Sequence, residues 1–231
     1  LEAMLQQNHN SGNISGGDIT PHWIRFSLNT RSPLCQIEEL TGELANAIHA
    51  RTLRVSASGS AILLEVPRTN PDKVLLSKMI KRLPIDRLQI GTAALGLADD
   101  GDPLLIRLPS QEVGHVLCPP AVMRIISESL RQMFPPRRIR IGEDEPAQWL
   151  IEQLEKRCSR NYREPLLVSL QSHVDSSFAP ILEQGREHSI CLIAESAYEK
   201  KRFGVKIVEK AHPEYQAESK EGKISFVLAE Q

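Results

Sequence analysis

From residue 113 onward the chain repeats a pattern that few folds can satisfy. Short runs rich in apolar side chains at 113–118, 138–142, 166–170 and 190–194 are separated by amphipathic stretches at 121–133, 146–162 and near 175–187. A run that is apolar on both sides must be covered on both faces, and the stretches between are long enough to be the covering helices. This half is therefore expected to be a parallel sheet with helices on both faces. Further runs at 203–208 and 224–228 close the chain.

The first hundred residues follow a different rhythm. Residues 1–20 are polar and glycine-rich and read as a flexible arm. The segment 22–28 alternates, with Trp23 and Arg25 on one face and Ile24, Phe26 and Leu28 on the other. Ile37, Leu40, Leu44, Ala47 and Ile48 recur at helical spacing over 36–50. Strands are predicted at 52–56 and 60–66 around a turn at 57–59, ended by Pro67. A short basic helix over 73–83 and a strand over 104–108, after the turn 99–102, complete a β-α-β-β-α order. The expected organisation is an arm (1–20), an α+β domain (21–110) and an α/β domain (111–231).

Composition narrows the function classes. At 231 residues, 41% hydrophobic and 25% charged, the chain has the balance of a globular protein with a sizeable core. A net charge of −1 points to neither nucleic acid nor membrane in bulk, so any DNA contact must come from a local patch. No apolar run approaches the ~20 residues that span a bilayer, and no secretory leader opens the chain. Leu1 rather than Met opens it, as in a piece of a longer protein. Cys35, Cys118, Cys158 and Cys191 form no paired motif and read as buried free thiols in a reducing cytoplasm.

Several short motifs, taken in order, resemble the α-domain of FtsK/SpoIIIE-type DNA translocases, within the HerA-FtsK superfamily. They are Gly17-Asp18-Ile19-Thr20-Pro21 with the strand to Leu28, Ile37-Glu38-Glu39-Leu40 with Leu44-Ala45-Asn46-Ala47-Ile48, Leu53-Arg54-Val55, and Leu64-Glu65-Val66-Pro67. Ala94-Leu95-Gly96 and the strand 104–108 resemble the segment before that family's motor core, and Gly114-His115-Val116-Leu117 resembles the strand that leads into its phosphate loop. The resemblance implies a RecA-like second domain that, under the family's active form, would use ATP and magnesium.

The catalytic side chains of that motor are missing. Where the family has Ala-Gly-x-x-Gly-Ser-Gly-Lys-Ser, this chain has Cys118-Pro119-Pro120-Ala121-Val122. A phosphate loop works by turning glycine-permitted backbone N–H groups toward phosphate, with a lysine to balance its charge. Proline has no N–H to offer. The family's metal-holding Asp-Glu would follow the strand 166–170, but Gln171-Ser172-His173 stands there and Asp175 is the first acid. The stretch 184–195 resembles the family's Gly-Arg…Ala-Thr-Gln stretch, with Glu195 at the polar sensor position. The second domain is thus expected to be RecA-like but degenerate or truncated, with neither Walker motif, no cofactor and no metal.

Other candidate sites read as structural. His115 is expected beside a buried strand, while His173 and Asp175 sit at a strand's C-terminal edge, where an acid/base pair would face a ligand. Glu143-Asp144-Glu145 precedes Pro146 as dipole-compensating acids, with metal binding as the alternative. Ser127 and Ser129 read as solvated helix positions. The histidines and cysteines lack zinc-ligand spacing.

The best DNA patch spans 51–90. Arg51, Arg54, Arg68, Lys73, Lys78, Lys81, Arg82 and Arg87 stand against Glu65, Asp72 and Asp86, a local excess of five positive charges. Arg138 and Arg140, with Arg137 beside them, form a second group, expected on one strand face. The expected function is a non-catalytic, cytoplasmic relative of the translocases, a partner for double-stranded DNA, for copies of itself or for an active homologue. The alternatives are an active ATP-dependent translocase whose phosphate loop has been deleted from this chain, and an unrelated α/β enzyme using His173 and Asp175.

Overall fold

The computed structural model describes residues 2–7, 12–50, 52–58, 61–98, 101–110, 113–160, 164–211 and 214–230. Arg51, Asp99-Asp100, Gln111-Glu112 and Tyr162 lie outside the described residues. The chain divides into two compact units, Leu1–Lys73 and Val74–Gln231.

The first unit is a four-stranded antiparallel sheet in the order β1 (Gly12–Ile19), β2 (Trp23–Thr30), β4 (Ala61–Pro67), β3 (Arg54–Ser58). Three helices accompany it, α1 (Glu2–Gln7), α2 (Leu34–Glu39) and α3 (Thr41–Ala47). The predicted single helix over 36–50 is split at Leu40, which closes α2 and leads into α3. Leu5, Leu28, Ile37, Leu44, Leu53 and Leu64 form the core.

The segment read as an arm is different in the structure. Residues 12–19 are paired with β2 through a bulge between Ile14 and Gly16. Gly17, one of the glycines that suggested mobility, allows close pairing instead, since a Cβ there would lie 2.4 Å from the Arg25 carbonyl oxygen.

One row of charge crosses all four strands of this sheet. Asp18 pairs in register with Arg25, Arg25 with Glu65, and Glu65 with Arg54. Arg25 Nε donates to Glu65 Oε1 at 2.9 Å, and Arg54 Nη2 donates to Glu65 Oε2 at 3.1 Å. The Arg54 guanidinium also lies 4.2 Å from the Trp23 ring centroid. Glu65 thus holds two cations while itself buried, and signs alternate along the row as cross-strand pairing favours.

The second unit holds a nine-stranded sheet. Its strands are β5 (Thr92–Ala98), β6 (Pro103–Arg107), β7 (Val116–Leu117), β8 (Arg140–Glu143), β9 (Leu166–Leu170), β10 (Ile190–Ala194), β11 (Val205–Ala211), β12 (Glu214–Ser219) and β13 (Gly222–Leu228). They lie in the order β6-β5-β13-β12-β11-β7-β10-β9-β8. The five strands from β11 to β8 are parallel to one another, and every other pairing is antiparallel.

The sheet is therefore mixed rather than parallel throughout. The antiparallel part comes from β5 and β12, which the sequence pattern did not single out as strands, and from hairpin joins between β11, β12 and β13. It also draws residues 74–110, expected with the first domain, into the second unit. β5 is bulged between Ala94 and Gly96, and a Cβ on Gly96 would lie 1.8 Å from the Val227 carbonyl oxygen. The Ala94 amide, next to the bulge, donates to Ser129 Oγ at 2.7 Å. Ser129 and Ser127, read as solvated, are both buried.

Helices cover both faces of the parallel strands. The helix α5 (Pro120–Met133) and the short α4 (Leu76–Ile80) pack on one face with Val116, Leu167, Cys191 and Ile193. On the other face α6 (Ala147–Arg160) and α7 (Ala179–Gln184) pack with Leu117, Leu166, Val168, Leu192 and Ala194. Strand alternation delivers consecutive residues to opposite cores, which is why these runs are apolar throughout. Among the described residues no helix is long and apolar enough to cross a membrane.

Replacing Glu65 by Ala strands Arg25 without its buried partner. The E65A variant is expected to lose about 3–5 kcal/mol of first-unit stability, and R54A, whose side chain is a third exposed, about 1 kcal/mol or less. Urea unfolding followed by Trp23 fluorescence in a Trp149→Phe background measures both, and equal losses would refute this reading of Glu65.

Candidate functional site

In a parallel sheet, ligands are taken at the C-terminal ends of strands, where the connections change direction. Numbered in chain order from β7, the five parallel strands lie 5-1-4-3-2, so the chain leaves β7 toward one side and crosses to the other after β10. The β7–α5 junction lies at this change of direction.

The junction is short and closed. Two residues, Cys118 and Pro119, separate β7 from α5, whereas a phosphate loop of the G-x-x-x-x-G-K-[ST] form needs eight. Cys118 N donates to the Ala194 carbonyl at 2.9 Å, so the backbone here continues the sheet. Pro119 is extended (φ −60, ψ 155) and Pro120 opens the helix, a position where its missing N–H costs little. Burial, with the Glu195 carboxylate adding to it, pushes the Cys118 thiol well above its usual range, so it stays protonated.

The neighbouring strand ends use their polar groups on each other. Asp144 has a left-handed backbone (φ 49); its N–H donates to the Ser169 carbonyl, and its Oδ1 accepts from Gln171 N at 2.8 Å. Glu143 pairs with Arg131 of α5. The acidic run thus ties the end of β8 to the end of β9, and among the described residues no group of three or more His, Cys, Asp or Glu side chains could hold a metal ion. Only the fold brings residues 144 and 171 together, and their separation left no local signal. A cavity of about 300 Å³ lies between α5 and these ends, lined by Arg124, Glu128, Arg131, Glu143, Asp144 and Gln171 among others.

The predicted acid/base pair is divided between other partners. Asp175 Oδ1 accepts from Ser177 N at 2.8 Å and from Ser177 Oγ, capping the turn at 176–178 and holding the carboxyl below its usual range. His173 Nδ1 lies 3.0 Å from Ser196 Oγ.

His115 is buried and structural. Its Nδ1 accepts from Leu192 N at 3.0 Å, and its carbonyl accepts from Gly204 N and Val205 N. The ring meets Phe203 edge-on at 5.9 Å. Burial lowers its pKa to about 4, against a weaker upward pull from the Leu182 and Ile181 carbonyls.

The basic candidates separate by environment. Arg54 is committed to Glu65 and Trp23, and Arg68 donates to the Thr20 and Pro21 carbonyls and pairs with Asp72. Lys73, Lys78, Lys81, Arg82 and Arg87 are exposed; in the second unit Lys78 is on α4, Lys81 and Arg82 just follow it, and Arg87 ends the turn Ile85–Arg87. Arg138 and Arg140 are exposed around buried Ile139, and the Arg140 guanidinium lies 5.0 Å from the Trp149 ring centroid. Of the cysteines, Cys118 and Cys191 are buried as expected, but Cys35 and Cys158 are exposed.

The neutral His115 gives stability a defined pH dependence. The unfolded chain binds a proton near the ordinary 6.5 and the folded chain only near 4. This contribution is therefore complete above pH 6.5 and is lost as pH falls toward 4, at up to about 1.4 kcal/mol per pH unit. Denaturant titrations from pH 7.5 to 4 should show that slope in the wild type and its absence in His115→Gln; parallel profiles would refute it.

No protein-family model matches the chain, and no curated protein matches it either. Among solved structures it is similar to the pCW3 conjugation coupling protein TcpA, solved in monomer form with ATPγS, at 9% identity and a TM-score of 0.51, over 99% of this chain and 93% of that one. The cytoplasmic domain of EssC aligns at 11% identity and a TM-score of 0.48, over 71% of this chain and 48% of that one. At such identities the TcpA likeness is one of architecture alone, and it agrees with the fold implied by the resemblance of the ordered motifs.

Proposed function

We propose that the chain is a non-catalytic relative of FtsK/SpoIIIE-type DNA translocases, acting as a DNA-associated or assembly subunit. The observation that carries this reading is the two-residue connection from β7 to α5. It has neither the length nor the free amides to wrap a triphosphate, and its thiol is buried and protonated. The end of β9 supports the same reading, since the position of the family's acidic pair is taken by Gln171 and Ser172, and Asp144 already serves as acceptor for Gln171 N–H. A RecA-like core kept without these groups retains its surfaces for packing against a second copy or an active homologue.

DNA contact in this reading falls to the exposed basic segment Lys78, Lys81, Arg82 and Arg87, with Arg138 and Arg140 as a second group. Arg54 and Arg68 are left out because carboxylates and carbonyls already hold them.

Two measurements test the proposal. Calorimetric titration with ATPγS and magnesium should give no saturable binding; a stoichiometric site would overturn the non-catalytic reading. Binding to a double-stranded DNA fragment across a salt series should weaken steeply with salt and be indifferent to ATP. Replacing Lys78, Lys81, Arg82 and Arg87 by Ala should lower the magnitude of the log–log slope by about 0.9 for each phosphate that is no longer neutralised. An unchanged slope would remove DNA contact from this segment.

A further inference from the structure

A nucleophile and a base meet at the other end of the parallel sheet. Cys158 lies in the last turn of α6, and His188 lies just before β10, so both stand at the N-terminal edge of the strands, away from the β7–α5 junction. Cys158 Sγ and His188 Nε2 are 3.3 Å apart, within hydrogen-bond distance for sulfur. Cys158 is exposed and His188 half-buried, so the sulfur can be reached from solvent.

The pair is held in place from beneath. Arg157, next to Cys158 on α6, is buried and donates from Nη1 to the His188 carbonyl at 3.2 Å and to the Glu164 carbonyl at 2.7 Å. The residue beside the thiol therefore anchors the backbone of its imidazole partner. Ser189, left-handed at φ 59, then turns the chain into β10, so the His188 segment is fixed on both sides.

The geometry points to Cys158 as a site of thiol–disulfide modification with His188 as its base. The substrate class is a small-molecule disulfide such as glutathione disulfide. His188 Nε2 takes the thiol proton as Sγ attacks one sulfur of the disulfide. The S–S bond of the reagent breaks, a Cys158 mixed disulfide forms, and the departing thiolate recovers the proton from the imidazolium. The Cys158 sulfur is oxidised and the leaving sulfur reduced, so one thiol and one disulfide are consumed and one of each is produced. The chain carries its own comparison, because Cys35 is also exposed, while Cys118 and Cys191 are buried.

The test treats the full chain with glutathione disulfide at several concentrations and follows each cysteine by peptide mass spectrometry. Cys158 should acquire the mixed disulfide about tenfold faster than Cys35, a modest share of what a positioned base can supply. In His188→Gln the Cys158 rate should fall to near that of Cys35, while Cys118 and Cys191, buried in the same unit as the substitution, stay unmodified and so report intact folding. A wild-type Cys158 rate no greater than that of Cys35 overturns the proposal without any variant. So does a Cys158 rate that survives His188→Gln.

Discussion

The second unit depends on the pairing of a strand only two residues long. β7 lies between β10 and β11, with Val116 and Leu117 opposite Ile193 and Ala194 on one side and Val205 and Lys206 on the other. It joins the three parallel strands β10, β9 and β8 to β11 and the antiparallel strands beyond it. Without β7 the sheet would be two separate pieces with unpaired edges. The strand is lengthened by means other than its own ladder. Cys118 N bonds to Ala194, the His115 carbonyl takes two amides from the approach to β11, and the His115 ring takes the amide of Leu192. A neutral imidazole stands in for main chain, so His115 is buried and must stay uncharged.

The same constraint shapes the candidate site. The prolines that follow Cys118 end the ladder and begin α5 with no loop between, and the adjoining strand ends bond to one another through Asp144, Gln171, Asp175 and Ser177. In the first unit the Asp18–Arg25–Glu65–Arg54 row uses charges within the sheet, and it engages Arg54, a residue that sequence reading offers to DNA. In both places polar groups that look functional in one dimension turn out to be partners of each other in three.

Legibility followed burial. The strands 166–170 and 190–194 agree residue for residue with the predicted ones, and α5 and α6 begin within a residue of the expected starts, because a strand or helix buried against two layers is marked by its own side chains. β5 and β12 were not legible. One is bulged at Leu95 and interrupted by Gly96, and the other alternates with Glu214, Gln216 and Glu218, so neither shows an uninterrupted apolar run. β1 was hidden by its glycines, of which Gly17 serves close backbone approach to β2. The expected solvation of Ser129 failed because its hydroxyl accepts from the Ala94 amide of a strand 35 residues away in the chain.

The sequence by itself determined the α/β character of the second half and the place of the β7–α5 junction, because these rest on local pattern and residue type: proline ends a ladder and opens a helix, and a two-sided strand must be apolar. The tertiary structure alone decided the strand order, the mixed sheet, the commitment of Arg54 and Asp144, and the meeting of Cys158 with His188. Each depends on residues far apart in the chain, where pairing is selected by register and packing rather than by any local preference.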